Sequence, residues 1–286
     1  MMMFIEPMLL KTRPNAFDSE AHIFEPKIDG HRLQLHLSGG HVRLFTRHRN
    51  DCTQQYPELW NVPTDAVDLV LDGEVACVEN GIFDIERVME RFQMKKTDRI
   101  NNAVKRNPVN FVVFDILQLN GRDLRTLPLM ERKRILADVL RPNEYFTIIS
   151  YFEGRGRELF DAIVARKWEG IVGKVKTGNY VGRLSEDWVK VIRWEYHDVF
   201  IVGYRKSKLG WLAHVPEEGH LRPAGIIELG ITLSVARAFY GVSKKLITKE
   251  SGDFIYLEPK IRARVKTRNW TKSGMLRTPA FVEFIL

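Results

Sequence analysis

The segment Glu25-Pro26-Lys27-Ile28-Asp29-Gly30-His31-Arg32 sets a lysine between two carboxylates, each two positions away. In an extended chain, alternation puts Glu25, Lys27 and Asp29 on one face. Such a group is either a surface ion pair worth ~0–1 kcal/mol or a lysine held for nucleophilic attack. An amine attacks only when deprotonated, and a free lysine titrates near ~10.4, so a nucleophilic site must lower or bypass that value. Two anionic neighbours push it the other way, so a metal ion or nearby cations must offset them. Lys-x-Asp-Gly alone is short enough to arise by chance. Four further segments follow it in order: Leu71-Asp72-Gly73-Glu74, Phe111-Val112-Val113-Phe114-Asp115, Glu169-Gly170-Ile171-Val172-Gly173-Lys174 and Trp188-Val189-Lys190. Singly, Phe114 reads as core, the acids as solvated strand ends and Lys190 as an exposed base. Those readings do not account for the ordered set.

The elements that must carry these residues are legible as periodicities. Arg32–Arg47 alternates apolar and polar positions about Ser38-Gly39-Gly40, which predicts a hairpin. Asp68–Val78 and Phe111–Leu117 predict strands, the second buried on both faces. In the first of these, Asp72 and Glu74 share a face while Leu71 and Val75 turn inward. Ile85, Val88, Met89 and Phe92 have helical spacing, as do Leu129, Lys133, Leu136 and Leu140 after Pro128, and Leu159, Phe160, Ile163 and Val164. After Trp194 strand-like pieces dominate, at 198–204, 225–232, 254–257 and 261–266, with one helical stretch at 234–239. Several short strands with a single helix suit a small β-barrel such as an oligonucleotide-binding fold. The boundary falls near 194–198.

Composition bounds the partners. The chain has 286 residues, 44% hydrophobic and 28% charged, a globular profile with room for two domains. No apolar run approaches the ~20 residues that span a bilayer, and the short apolar start, residues 1–5, does not have the form of a signal peptide. Cys52 and Cys77 read as reduced intracellular thiols, and a cytoplasmic, nucleoid-associated protein is expected. His31, His36, His41 and His48 lack zinc-ligand spacing and read as structural. Net charge is +8, and residues 197–286 hold 15 Lys and Arg against 8 Asp and Glu, whereas the first 196 residues hold 29 against 28. A basic C-terminal piece on a neutral body points to a polyanion partner.

Lys27-Ile28-Asp29-Gly30-His31-Arg32 resembles motif I of the covalent nucleotidyltransferases: DNA ligases, RNA ligases and mRNA capping enzymes. The four later segments resemble motifs III, IIIa, IV and V in that order, over about residues 6–194. Leu257-Glu258-Pro259 through Arg277-Thr278-Pro279-Ala280-Phe281 is similar to bacterial ATP-dependent DNA ligases, including the ligase domain of multifunctional end-joining enzymes. The resemblance implies an α+β fold, with an ATP-grasp-like adenylation (nucleotidyltransferase) domain at 1–195 and an OB-fold DNA-binding domain at 196–286. It implies that Lys27 attacks the α-phosphate of ATP and carries AMP, with Lys190 neutralising that phosphate, aided by Lys174. Glu25 would accept from the adenine amino group, and Phe114 would stack on the base. Arg32 and Glu74 would hold the ribose, with Arg32 and Arg47 near the nick phosphate. Glu169 would position Mg2+ or Mn2+. A monomer acting on nicked double-stranded DNA in repair, recombination or replication is expected, and the end-joining likeness admits Ku or other repair proteins as partners.

Two departures stand out. Motif V usually has two lysines on one strand face, and here the second position is Ile192. After Phe281 the residues read Val282-Glu283-Phe284-Ile285-Leu286, without the basic motif VI of the form Arg-x-Asp-Lys; the expectation is either that the motif is absent or that another basic residue such as Arg262, Arg264 or Lys266 substitutes. Slow self-adenylation with less affected sealing is the expected consequence. The alternatives are an RNA ligase or capping enzyme, with Glu25 and the tail arguing for adenine and DNA, and a nucleic-acid-binding protein with an impaired active site.

Overall fold

Gly39 and Gly40 both take positive φ, +53° and +79°, the conformation that a two-residue hairpin turn matching strand twist demands. In the computed structural model, which describes residues 4–285, they join β3 (His31–Ser38) to β4 (His41–Thr46) in the predicted hairpin. The chain divides between Ile192 and Arg193 into two compact units. The first also contains β1 (Leu9–Thr12), β2 (Ser19–Pro26), β5 (Asp68–Ala76), β6 (Val78–Glu79), β7 (Ile82–Phe83), α1 (Ile85–Gln93) and α2 (Thr97–Arg106). It continues with β8 (Asn110–Leu119), β9 (Arg122–Asp123), α3 (Leu129–Val139), β10 (Phe146–Ile148), β11 (Phe152–Gly154), α4 (Gly156–Ala165), β12 (Gly170–Val175) and β13 (Leu184–Ile192).

Two sheets result. One has the order β1-β13-β12-β2-β11, and the other β10-β8-β5-β3-β4, with β9 on β8. Period-two alternation gives each sheet an outer and an inner face. On the first, Phe24, Ile171 and Val191 meet Leu159 and Ile163 of α4. On the second, Leu33, Leu35, Leu71, Val75 and Phe111 form the largest core with Val88 of α1 and Leu136 of α3. The remaining faces meet through Met8, Val70, Leu117, Tyr180 and Trp188. All three predicted helices are present, with Asp84 capping α1 through the Arg87 N–H. The fourth, α2, escapes periodicity because only Ile100 of its ten residues is buried.

The second unit comprises β14 (Glu195–Arg205), β15 (Trp211–Glu217), β16 (His220–Ile227), α5 (Leu233–Ser243), β17 (Ile247–Ser251), β18 (Phe254–Thr267) and β19 (Ala280–Ile285). Its sheet runs β16-β15-β14-β18-β17 with β19 on β18. A parallel bridge between Leu229 and Ala280 joins the segment after β16 to β19. Trp211, Ile201, Ala263 and Phe281 form its core, with Phe239 of α5 against Trp211. The strands expected at 254–257 and 261–266 are one strand, β18, carried past Pro259 by a register shift opposite Ile201/Gly203. The strand expected at 225–232 lies earlier, at 220–227, because Glu228–Ile231 leave the ladder. No helix among the described residues is long and apolar enough to cross a membrane. Of the apolar start at residues 1–5, Met1–Met3 lie outside the described residues.

Candidate active site

Strand β2 ends at Pro26, so Lys27 leaves the ladder as its first irregular residue. Its N–H donates to Gly170 O at 2.8 Å, tying the lysine to the start of β12. Gly170 stands at φ +155°, and a Cβ there would meet Val191 O at 2.1 Å. This glycine therefore lets β12 lie against β13 while Glu169 turns toward Lys27. Lys27 Nζ donates to Glu169 Oε2 at 2.6 Å, and the carboxylate side chain is 2% exposed. The strand stops before the lysine, yet Glu25 and Lys27 line one cavity, and Lys27 and Asp29 both lie close enough to Glu74 to act on its charge. The Lys27–Glu169 ion pair spans 142 positions of the chain.

Glu25 points into the space between the sheets and is buried there. Lys133 of α3 pairs with its Oε1, and Lys174 of β12 lies 2.7 Å from its Oε2. Burial lowers the Lys174 pKa to about 8, with Glu25 pulling it back up. The Lys174 ammonium lies 4.4 Å from the centroid of Phe114 and 4.1 Å from that of Trp188. Phe114 owes its position to a slip in the β5–β8 register. Asp72 opposes Asp115 and Gly73 opposes Val113, which leaves Phe114 as the extra residue, and bulges re-aim side chains in this way.

Arg32 donates to both oxygens of Asp72, at 3.0 and 2.7 Å, and to Met8 O at 2.7 Å. Tyr180 donates to Asp72 Oδ2 at 2.7 Å. Burial opposes the Arg32 charge, but Asp72, Tyr180 and Glu74 together hold the guanidinium pKa above its ordinary value. Burial pushes Glu74 up to about 7 against the pull of Lys27 and Arg32, with Glu169 and Asp29 adding to the push. Gly30 lets β3 start against β5, since a Cβ there would meet Val75 O at 2.2 Å. One cavity, lined by Glu25, Lys27, Arg32, Glu74, Phe114, Lys174 and Trp188 among others, thus joins residues of both sheets.

Residues 7–191 match the family model of the ATP-dependent DNA ligase domain. The chain belongs to the ATP-dependent DNA ligase family. It is 35% identical over 282 residues to the SPbeta prophage-derived DNA ligase-like protein LigB of Bacillus subtilis, covering 98% of each chain. A DNA ligase of Methanoculleus marisnigri is 31% identical over 90% of this chain, which spans half of that relative's length. The crystal structure of the ligase domain of Mycobacterium tuberculosis LigD superposes with a TM-score of 0.58 at 25% identity, covering 98% of this chain and 95% of that one. The α+β expectation agrees with this likeness: the chain has the mixed, mostly sheet architecture of ATP-dependent ligase catalytic regions.

Not every predicted site residue of this ligase reaches the cavity. Lys190 lies on the cavity-side face of β13, opposite Val172, but is not part of the lining. Arg47 is exposed just past β4, where it bonds His48. Ile192 is buried opposite Gly170. Arg262 and Arg264 lie near Asp198, at 4.0 and 2.9 Å, and Lys266 lies over Trp194. Sequence reasoning missed Lys133 and Tyr180 as site-supporting groups. Lys133 carried one signal, a charge at an apolar helix position. Tyr180 carried none.

Proposed function

We infer that this ligase seals 5′-phosphate/3′-hydroxyl nicks in duplex DNA by way of AMP held on Lys27. The observation that carries the reading is the meeting, in one cavity, of Lys27, a buried acceptor carboxylate (Glu25), an aromatic face (Phe114) and a ring of compensating charges. Lys27 must lose a proton before attack, and here its ammonium donates to Glu169 Oε2 at 2.6 Å. Glu25 accepts from the adenine amino group, Phe114 stacks, and Arg32 and Glu74 face the ribose. Lys174 and Lys190 supply cations for the α-phosphate, since phosphoryl-type transfer depends chiefly on alignment and charge stabilisation. Carrying AMP on the protein divides the condensation into enzyme adenylation, transfer to the 5′-phosphate and attack by the 3′-hydroxyl.

The residues also fit a hard cation. Among the described residues no three His, Cys, Asp or Glu form a ready-made metal cage. Glu74 and Glu169 are close enough to raise the Glu74 pKa, a set suited to Mg2+ or Mn2+, held by one or two carboxylates and substrate phosphates. Glu169 and Glu74 would hold it, and it would supply positive charge to the phosphate oxygens. The second unit we read as an OB-fold barrel that grips the duplex. Its curled sheet, single helix and excess of basic residues support this. Ku as a partner rests on the end-joining likeness alone.

Incubation with α-labelled ATP, GTP or NAD, followed by denaturing electrophoresis, tests the reading. Label is expected from ATP alone, and none is expected with Lys27→Ala. Label from GTP would move the chain to the capping class, and label persisting in Lys27→Ala would remove Lys27 as the carrier. Sealing of nicked DNA against nicked RNA then assigns the strand.

A further inference from the structure

Lys133 is a charged residue on the buried face of α3. It shares that face with Leu129, Leu136 and Arg132, which is paired with Asp115, and its own side chain is 4% exposed. An ammonium there carries a large desolvation cost unless a hydrogen-bonded counter-ion offsets it. Glu25 is that counter-ion, and it has a cation on each oxygen: Lys133 on Oε1 and Lys174 on Oε2. The two arrive from different directions. Lys174 lines the cavity alongside Glu25, whereas Lys133 reaches in from α3 and is not part of the lining. Lys174 also covers the rings of Phe114 and Trp188, the flat apolar faces on which a base would stack. A base and the Lys174 ammonium therefore compete for one place, and a base and Lys133 do not.

We propose that Lys133 is a positioning residue for base recognition, the permanent counter-ion that fixes Glu25 Oε1, while Lys174 is the exchangeable one that yields Oε2 to a base amino group. This rests on the reading of Glu25 as the adenine acceptor. An ionised carboxylate has about four lone-pair sites, so one oxygen can keep its lysine while the other accepts from the base. The displaced Lys174 is then free for phosphate. Without Lys133, Lys174 alone has to neutralise a buried carboxylate, and drawing it away leaves that charge uncompensated. Base binding then works against the ion pair, and the amino group loses its acceptor.

The test compares ATP with purine riboside triphosphate, which lacks the 6-amino group, in single-turnover labelling of the full chain. Wild type, Lys133→Met and Lys133→Arg are measured. Wild type is expected to favour ATP by about tenfold or more, the scale of a hydrogen bond to a charged group. In Lys133→Met the preference collapses towards one, through weaker ATP binding rather than a lower rate at saturation, and Lys133→Arg restores it. Both rates come from one sample, so a loss of folded protein scales them equally and leaves the ratio unchanged. A Lys133→Met preference equal to that of wild type overturns the proposal and leaves the reading of Glu25 standing. A wild type that does not discriminate overturns the reading of Glu25, and the proposal with it.

Discussion

Glu74 is a carboxyl group whose environment favours its neutral form, with a pKa near 7 against an ordinary 4.5. A folded-state pKa raised above the unfolded value contributes stability fully present below about 4.5 and lost as pH rises through about 7. In metal-free buffer, wild type should therefore lose up to about 3 kcal/mol relative to Glu74→Gln between pH 4.5 and pH 8. Urea titrations of both proteins at several pH values check this, and parallel pH profiles would disprove it. The pair of Arg32 and Asp72 is of another kind, because both oxygens of a fully buried acid are occupied. Asp72→Asn leaves the guanidinium without its charge partner and should cost about 3 kcal/mol or more. A thermal melt with an unchanged midpoint would refute it. Sequence reasoning named Lys27, Glu25, Arg32 and Glu74, but it did not foresee that Lys27 pairs with Glu169. Charges pair across 108 and 142 positions here, and no local pattern encodes such distances.

At the level of elements, the site depends on where strands stop and slip. Gly170 sits where φ favours glycine and where a Cβ would collide with Val191 O. Gly170→Ala should cost about 1–3 kcal/mol and part β12 from β13, moving Glu169 away from Lys27. The expected readout is a lower melting temperature together with slower labelling from ATP. A fully active, equally stable variant would show that the close approach is not needed. The hairpin and the periodic helices were legible because their signals are local. The edge strand β17 was not, since all five of its residues are exposed and none shows inward alternation. The slip that re-aims Phe114 was also hidden, because a bulge is a property of two strands together.

For the whole molecule, charge is the main lever. Residues 197–286 carry most of the +8, and Arg262, Arg264 and Lys266 occupy alternate positions along β18. Each phosphate contact contributes about −0.9 to the slope of log K against log salt on duplex DNA. Replacing all three with Ala should weaken binding to nicked duplex and flatten that slope by up to about 2 to 3. An unchanged slope would place the phosphate grip elsewhere. By itself the sequence determined which chemical groups are present, their order and the periodicity of most elements that bear them, because backbone geometry repeats every two or 3.6 residues. It thereby determined the family. Only the tertiary structure decided that Lys27 faces Glu169, that Glu25 is held between Lys133 and Lys174, and that Lys190 and Arg47 lie outside the cavity lining. The physical reason is that burial makes each of these charges depend on whichever opposite charge the two sheets and α3 bring within reach, and that choice is made by packing.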